Sequence, residues 1–320
     1  MHHPCIMHAS GAATLLMLGL GLAPAAHAHV SPASRISIPL ATVPWLRAPV
    51  THRSPASSHA SRILAVLTTE ATSPAEATQQ SSRPAPELTI PGDTLETLPS
   101  HVAYTLGLTG VVGAIAVRAL LAAPGPAAAW LAVALVLGDL MSGVIHWATD
   151  NYGNINTPVV GTVCAAFQGH HKAPWTITHR SFFNNVHKIA KTALPMVAVA
   201  VATLPPVGAA FVSFLLYTQL LAQELHRWSH CLPGELSPWQ REVQGSGLVL
   251  SRREHLAHHQ APFDSHYSIF LGWTNRLTDR LGLYRKLEAF VYACNGVEPN
   301  CWKEEKGGSA VRELALASRQ

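Results

Sequence analysis

The chain sets long apolar blocks against short turns and longer polar stretches, and the blocks come in two pairs. Val102 to Ala123 is about long enough to cross a bilayer as a helix, with Arg118 near one end where it can snorkel to water. Pro124-Gly125-Pro126 is a strong turn signal, and Ala127 to Trp147 runs back, carrying Asp139 and His146. Ile189 to Leu204, a break at Pro205-Pro206, and Val207 to Glu224 repeat the pattern. Each of these last arms is near the lower length limit for a span, so the pair is expected to tilt or to embed short of full crossing. Two hairpins with tight turns return the chain to the side it left. The expected fold is all-α: an integral membrane helical bundle of two transmembrane hairpins, with a histidine-rich, metal-binding cap on one face.

Composition agrees with a membrane protein. Charged residues make up 12% of the chain and hydrophobic ones 48%, against roughly 25% charged in soluble chains. The net charge of +4 is modest and spread out, without dense basic runs, so nucleic acid is not an expected partner. None of the five cysteines (Cys5, Cys164, Cys231, Cys294, Cys301) forms a C-x-x-C pair, which leaves a zinc ribbon or a thioredoxin-like motif unsupported. Cys294 and Cys301 could pair in an oxidising compartment; ordinary free thiols are the favoured reading.

The leader is distinctive. The first acidic residue is Glu70, and before it the chain is rich in Ala, Ser, His and Pro, with arginines but no lysine. That is the composition of an organellar transit peptide, assigned to residues 1–75. A signal peptide competes: Ala12 to Ala26 resembles an apolar core, and Ala26-His27-Ala28 fits a cleavage site. The biased composition continues well past that site, which favours the transit peptide. Residues 76–100, rich in Ser, Thr, Pro and Gln, read as a disordered linker. Residues 101–298 then form the membrane domain, and 299–320 a polar tail.

The hairpins place the chemistry. His146 leaves the second block, His170, His171 and His187 precede the third, and His226 and His230 follow the fourth, all on one face. The polar stretch from Cys231 to His266 adds His255, His258 and His259. Residues three and four apart share a helix face, so His226 with His230, and His255 with His258 or His259, can each chelate one ion. Adjacent residues diverge by about 100°, so His170-His171 and His258-His259 suit two neighbouring ions. Any one of these histidines alone would read as a satisfied interfacial side chain; four groups on one face do not. Imidazole serves Zn, Cu, Ni and Fe alike, and the absence of HExxH weakens a zinc protease reading. Asp139, His146 and Asp150 are spaced by seven and four, hence one helix face, where a carboxylate can orient a ligand's other ring nitrogen. Asp139, inside an apolar run, marks a functional residue by default, with a structural partnership with Ser142 or a backbone group as the alternative. Oxygen-activating di-iron chemistry on lipids is one use for such a cluster, because cleaving an unactivated C–H bond needs an oxidant that side chains do not supply.

GDLMSGVIHWATDNYG, FQGHHKAPWTITHRSFFNNVH, QELHRWSH, SRREHLAHHQAP and YSIFLGWTNRLTD together resemble the lipid desaturase family that includes plasmanylethanolamine desaturases and plant fatty acid desaturase 4. The resemblance covers roughly Gly138 to Glu298 and is closer to the plastid branch. It implies a trans double bond introduced at carbon 3 of palmitate esterified in phosphatidylglycerol, in a plastid membrane that the chain crosses several times. Molecular oxygen, two iron ions and an electron donor such as ferredoxin would be used. The implied metal ligands are His146, His170, His171, His226, His230, His255, His258 and His259. His187, Asp139 and Asp150 would be further ligands or supports. Arg252 and Arg253, with Lys172, are the first candidates for the anionic headgroup. The sequence departs from the branch at Ala173, where Trp is usual, and at His179 and His266, read as non-ligands. A small residue at 173 implies a wider wall in the acyl site. A vinyl-ether-forming desaturase, or another lipid hydroxylase or desaturase, is the alternative enzyme, and a histidine-rich membrane metal-binding or transport protein is the alternative outside enzymes.

Overall fold

A computed structural model describes residues 84–317, which form ten α-helices and three short 3-10 turns, with no strand among the described residues. The helices are α1 (Pro99–Ala122), α2 (Pro124–Asn151), α3 (Gly161–His170), α4 (Phe182–Thr203), α5 (Pro206–His230), α6 (Pro238–Gly245), α7 (Arg252–His258), α8 (Asn275–Arg280), α9 (Leu283–Asn295) and α10 (Gly308–Ala317). The 3-10 turns span Pro174–His179, Pro233–Glu235 and Asn300–Lys303.

α1, α2, α4 and α5 are each long and apolar enough to cross a membrane. Proline at the first helical position starts α2 and α5 directly after the preceding helix, because its missing N–H is an unpaired group there in any case. Both hairpins are therefore tight, as the apolar pattern predicts. The helices outrun the apolar blocks, however: α2 continues to Asn151, α5 to His230, and α4 starts at Phe182. Backbone hydrogen bonding continues through polar turns that hydropathy does not count. The third and fourth arms thus reach 22 and 25 residues, ample for a ~30 Å hydrocarbon core.

α5 packs on α1, α2 and α4. Gly138 on α2 lies against Thr218 on α5, where a Cβ would collide with the threonine side chain, a small-residue contact that lets two membrane helices approach closely. Leu108, Val112, Val186, Val197 and Leu220 bury the seam between α1, α4 and α5. Leu121, Val117, Val199 and Val136 point outward and are exposed, as a lipid-facing surface requires.

Asp139, halfway along α2, is fully buried and ties the cap to the bundle. One carboxylate oxygen accepts the N–H groups of Leu271 (2.7 Å) and Gly272 (2.9 Å), the other the N–H (2.8 Å) and hydroxyl (2.7 Å) of Thr274. The Ser142 hydroxyl takes the Ile269 N–H one turn further on. Asp139 thus satisfies a stretch of non-helical backbone laid along α2, the structural alternative named for it above.

Two domain expectations need correction. Residues 84–98 lack regular structure, yet they are not a free linker. The Glu87 N–H donates to Thr176 Oγ1, Trp175 Nε1 donates to the Ala85 carbonyl, and Asp93 pairs with Arg180 (2.5 Å) and Lys188 (3.0 Å). Burial raises the Asp93 pKa, but the two cations more than offset this and hold it below the ordinary carboxylate range. Nor is the region from 299 a loose polar tail, at least to residue 317. Cys301, Trp302, Val311 and Ala315 are buried together, the Cys301 N–H donates to Asn151, and Trp302 Nε1 donates to Glu288. Polar composition misled in both places: specific hydrogen bonds hold residues 84–98, and a small apolar cluster together with such bonds holds the C-terminal region. Cys164, Cys231, Cys294 and Cys301 are free thiols, so Cys294 and Cys301 do not pair. The proposed transit peptide lies outside the described residues.

Candidate metal centre

Four segments bring donors to one place. α2 contributes His146 and Asp150 on its last two turns, and α5 contributes His226 and His230 on its own. α3 ends at His170, with His171 as its C-cap. α7 carries His255 and His258, with His259 as C-cap, and starts where it does because Ser251 Oγ accepts the Glu254 N–H. The i, i+4 pairs meet as their spacing predicts.

The donors divide into two groups. His170, His226, His230, His255 and His259 form the first, and His146, Asp150, His171 and His258 the second, with the ligating atoms of each within 4.8 Å of one another. In the first, Nε2 atoms stand 2.9 Å (His170–His230), 3.2 Å (His226–His230), 2.8 Å (His230–His255) and 3.0 Å (His255–His259) apart. In the second, Asp150 Oδ2 is 3.3 Å from His146 Nε2, 3.3 Å from His171 Nε2 and 3.4 Å from His258 Nε2. The groups abut: the rings of His171 and His259 lie 4.9 Å apart, and those of His146 and His226 5.8 Å. The adjacent pairs His170-His171 and His258-His259 each send one imidazole to either group.

These donors fit cations. His230 Nε2 faces three other Nε2 atoms at hydrogen-bond distance, but a ring nitrogen takes part in at most one such N–H···N bond. Nitrogens bound at right angles to one cation at ~2.1 Å would stand ~3 Å apart, the spacing found here. Asp150 Oδ1 and Oδ2 and His146 Nε2 are buried without a hydrogen-bond partner, a costly arrangement unless a positive charge sits among them. Burial holds the imidazoles of His170, His255, His258 and His259 below their ordinary pKa, which keeps a lone pair on each at neutral pH.

Two rings are oriented by the main chain. His146 Nδ1 donates to the Tyr267 carbonyl (2.9 Å) and His258 Nδ1 to the Ser265 carbonyl (2.8 Å), so each Nε2 presents its lone pair to Asp150. Phe263 and His266 adopt positive φ angles of 60° and 57° in the loop that supplies these carbonyls, a conformation costing about 1 kcal/mol or more per residue. Backbone supports of this kind carry no side-chain signature, which is why they were invisible in the sequence.

All eight histidines named from the sequence lie in the two groups, and Asp150 joins them directly. His187 does not: its ring stacks on His101 at 3.6 Å, and its Nδ1 donates to the Asn184 carbonyl. Asp139 spends both oxygens on the 271–274 backbone and does not support a ligand ring. Arg252 donates to the His230 and Cys231 carbonyls (both 3.1 Å), closing the C-terminus of α5, so its first use is not a headgroup. Arg253 and Lys172 are exposed, as is His179, and His266 faces Asp279 outside both groups.

An open cleft, with about 770 Å³ of empty space counting its mouth, reaches His170 and His226. Phe167, Ile177 and Leu88 supply apolar wall, Ala173 lies in it, and Lys188 stands among its polar lining.

The lipid desaturase domain model matches residues 135–302, a stretch that contains every member of both groups. The chain is 44% identical over 189 residues to fatty acid desaturase 4, chloroplastic, of Arabidopsis thaliana, covering 58% of this chain and 57% of that one. It is 42% identical to fatty acid desaturase 4-like 1, chloroplastic, of the same organism, over 55% of this chain and 62% of the other. To plasmanylethanolamine desaturase 1 of Mus musculus it is 31% identical, over 51% and 64%. The chain thus spans less than two thirds of the length of these relatives. No solved structure matches it.

Proposed function

The chain belongs to the lipid desaturase domain family, and on that premise we propose that it is a membrane lipid desaturase acting on palmitate esterified in phosphatidylglycerol, with a trans double bond introduced at carbon 3. The observation that carries this reading is the pair of abutting, buried donor groups, five imidazoles beside three imidazoles and a carboxylate. Iron is the metal the family points to, and two ions bound there would supply the oxidant for cleaving unactivated C–H bonds. In the overall reaction a –CH2–CH2– unit loses two hydrogens. Molecular oxygen takes them with two electrons and two protons and leaves as two waters. The electrons would come from a one-electron carrier, ferredoxin in a plastid.

The residues of this chain have separable tasks. The eight histidines and Asp150 would hold the metal. The carbonyls of Tyr267 and Ser265 fix two of the rings. Phe167 against His146 and Phe263 against His171, with ring centroids 5.1 and 4.6 Å apart, exclude water from the second group. The depth of the site also favours attack close to the ester. His146 and Asp150 lie on the last two turns of a span, just beyond the edge of the hydrocarbon core and so nearer the ester and the first acyl carbons than the mid-chain carbons, which lie roughly 10 Å or more deeper. The same depth suits a vinyl-ether-forming desaturase, which the resemblance to the mouse protein supports as the second reading. A metal transporter finds less support: away from the donor-bearing ends of the four spans the charged residues in the apolar stretches are Arg118, Asp139 and Lys191, and Asp139 is saturated by backbone.

Expression in a host that makes phosphatidylglycerol is expected to yield a trans-3-hexadecenoyl species, read by fatty-acid methyl ester analysis. A cis product, or a vinyl ether alone, would overturn the substrate assignment. Ala173 gives a second check. Replacing this buried residue by Trp, the residue usual in the plastid branch, narrows the cleft and is expected to cut turnover of acyl chains longer than palmitate by about tenfold or more while sparing palmitate. An unchanged rate and product profile would remove Ala173 from the acyl wall.

A further inference from the structure

α8 and the residues flanking it are amphipathic with the wrong face out. Backbone bonds from Leu277 and Thr278 to the Thr274 carbonyl, and from Leu281 to Leu277, make residues 274–281 one helical run. Its buried face is polar: Thr274, Asn275 and Thr278 are inside. Thr274 bonds to Asp139, Asn275 bonds twice to the backbone of Ser268, and Thr278 bonds to carbonyls of its own helix. Its outer face carries Trp273, Leu277 and Leu281, exposed to 51%, 58% and 56%, with exposed Arg276 and Arg280 between them. Positions 273, 276, 277, 280 and 281 form one continuous stripe at helical spacing. A helix facing water would turn these leucines in and the threonines out.

The level of this stripe is set by Asp139. The N–H groups that flank Trp273 are held on that carboxylate, which lies 11 residues, or roughly 16 Å, along α2 from Asp150. If a hydrocarbon core of ~30 Å begins at Pro124, it ends near Val144, and Asp139 lies ~8 Å inside that edge. Val136 and Leu137, within one turn of Asp139, are exposed on the same helix, so the stripe continues the lipid-facing surface of the span. Irregular backbone at such depth must have its N–H groups satisfied from within the protein. That accounts for an aspartate in the middle of an apolar helix.

We propose that residues 273–281 are an in-plane membrane element: Trp273, Leu277 and Leu281 enter the boundary between headgroups and acyl chains, and Arg276 and Arg280 take the phosphates of an anionic lipid surface. Trp273 suits the position, since its Nε1 already donates to the Gly247 carbonyl and its ring is left to meet lipid. Interleaved arginines extend their heads to the phosphate level while their stems lie along the apolar stripe. The element fixes how deep the bundle rides, and with it the height of the donor groups above the acyl chains. It requires nothing of the reaction proposed above.

The test measures depth, not turnover. In a Cys5→Ser, Cys294→Ser background, which leaves only buried thiols among the described residues, Leu277→Cys carries a spin label on the full chain, reconstituted in phosphatidylcholine vesicles with and without phosphatidylglycerol. The label is expected to be several-fold more accessible to oxygen than to a water-soluble nickel chelate, and to lie deeper when phosphatidylglycerol is present. Arg276→Gln with Arg280→Gln should abolish that dependence on lipid charge while the label stays among the acyl chains. A label open to the nickel chelate in both vesicles overturns the insertion. So does one shielded from both reagents, which would place a protein partner or a second copy there. Equal depth in both lipids overturns the anionic part.

Discussion

Purified chain is expected to carry about two irons, and His258→Ala to lose one of them together with all measurable turnover. His258 Nε2 stands 3.4 Å from Asp150 Oδ2 and 3.2 Å from His171 Nε2, at the centre of the smaller group. That group has three imidazoles and one carboxylate, so losing one donor leaves too few to hold an ion. The loss should exceed the roughly 10–100-fold that an outer hydrogen-bond partner of a metal ligand typically costs. His230→Ala makes the matching change in the five-histidine group and should leave the ion beside Asp150 in place. Metal analysis of the two variants beside wild type therefore separates the groups. Asp150→Asn decides whether the carboxylate is a donor. It keeps the shape but removes the charge, and is expected to cost the same ion as His258→Ala. Stoichiometric zinc with unaltered activity, or two irons retained in His258→Ala, would rule out the arrangement.

The second large effect is on stability. Asp139→Ala leaves three buried backbone N–H groups without acceptors, while the Thr274 hydroxyl still has Ser268 Oγ within reach. Each unsatisfied buried donor costs ~1–3 kcal/mol, so three of them reach roughly 3–9 kcal/mol against the ~5–15 kcal/mol that holds a typical domain together. Asp139→Ala is expected to fail to accumulate, or to unfold in detergent at much lower temperature. Asp139→Asn keeps one acceptor oxygen but turns an NH2 toward backbone donors. It should fold with a clearly lowered Tm, yet bind iron at low temperature as wild type does. If instead Asp139→Ala matched wild type in thermal unfolding and lost only turnover, Asp139 would belong to the chemistry rather than to the cap's attachment.

These two residues mark where reading the chain alone reaches and where it stops. His258 was legible because metal chelation imposes short spacings, and the i, i+3 and i+4 rule converts those spacings into a shared face. Asp139 was legible only as an anomaly. Its partners, Leu271, Gly272 and Thr274, are more than 130 positions away, and they offer main-chain N–H groups that every residue but proline also has. His187 had the right residue type and the right neighbourhood, but α4 turns it toward His101 rather than toward the donors. Arg252 similarly stands beside the third histidine group, yet its length lets it reach back to close α5.

By itself the sequence determined the two hairpins, the face on which the histidines collect and the eight imidazoles. Apolar length, proline breaks and helical periodicity are local properties that any folded form of this chain must respect. Tertiary structure alone decided how those eight divide into five and three, that Asp150 completes the smaller group, and which carbonyls orient its rings. It also drew residues 84–98 and 300–317 into the fold, and it laid the 271–274 backbone along α2 at the depth of Asp139. All of these depend on where separate helices end relative to one another. That is set by packing and by hydrogen bonds between distant segments, which leave no period in the chain.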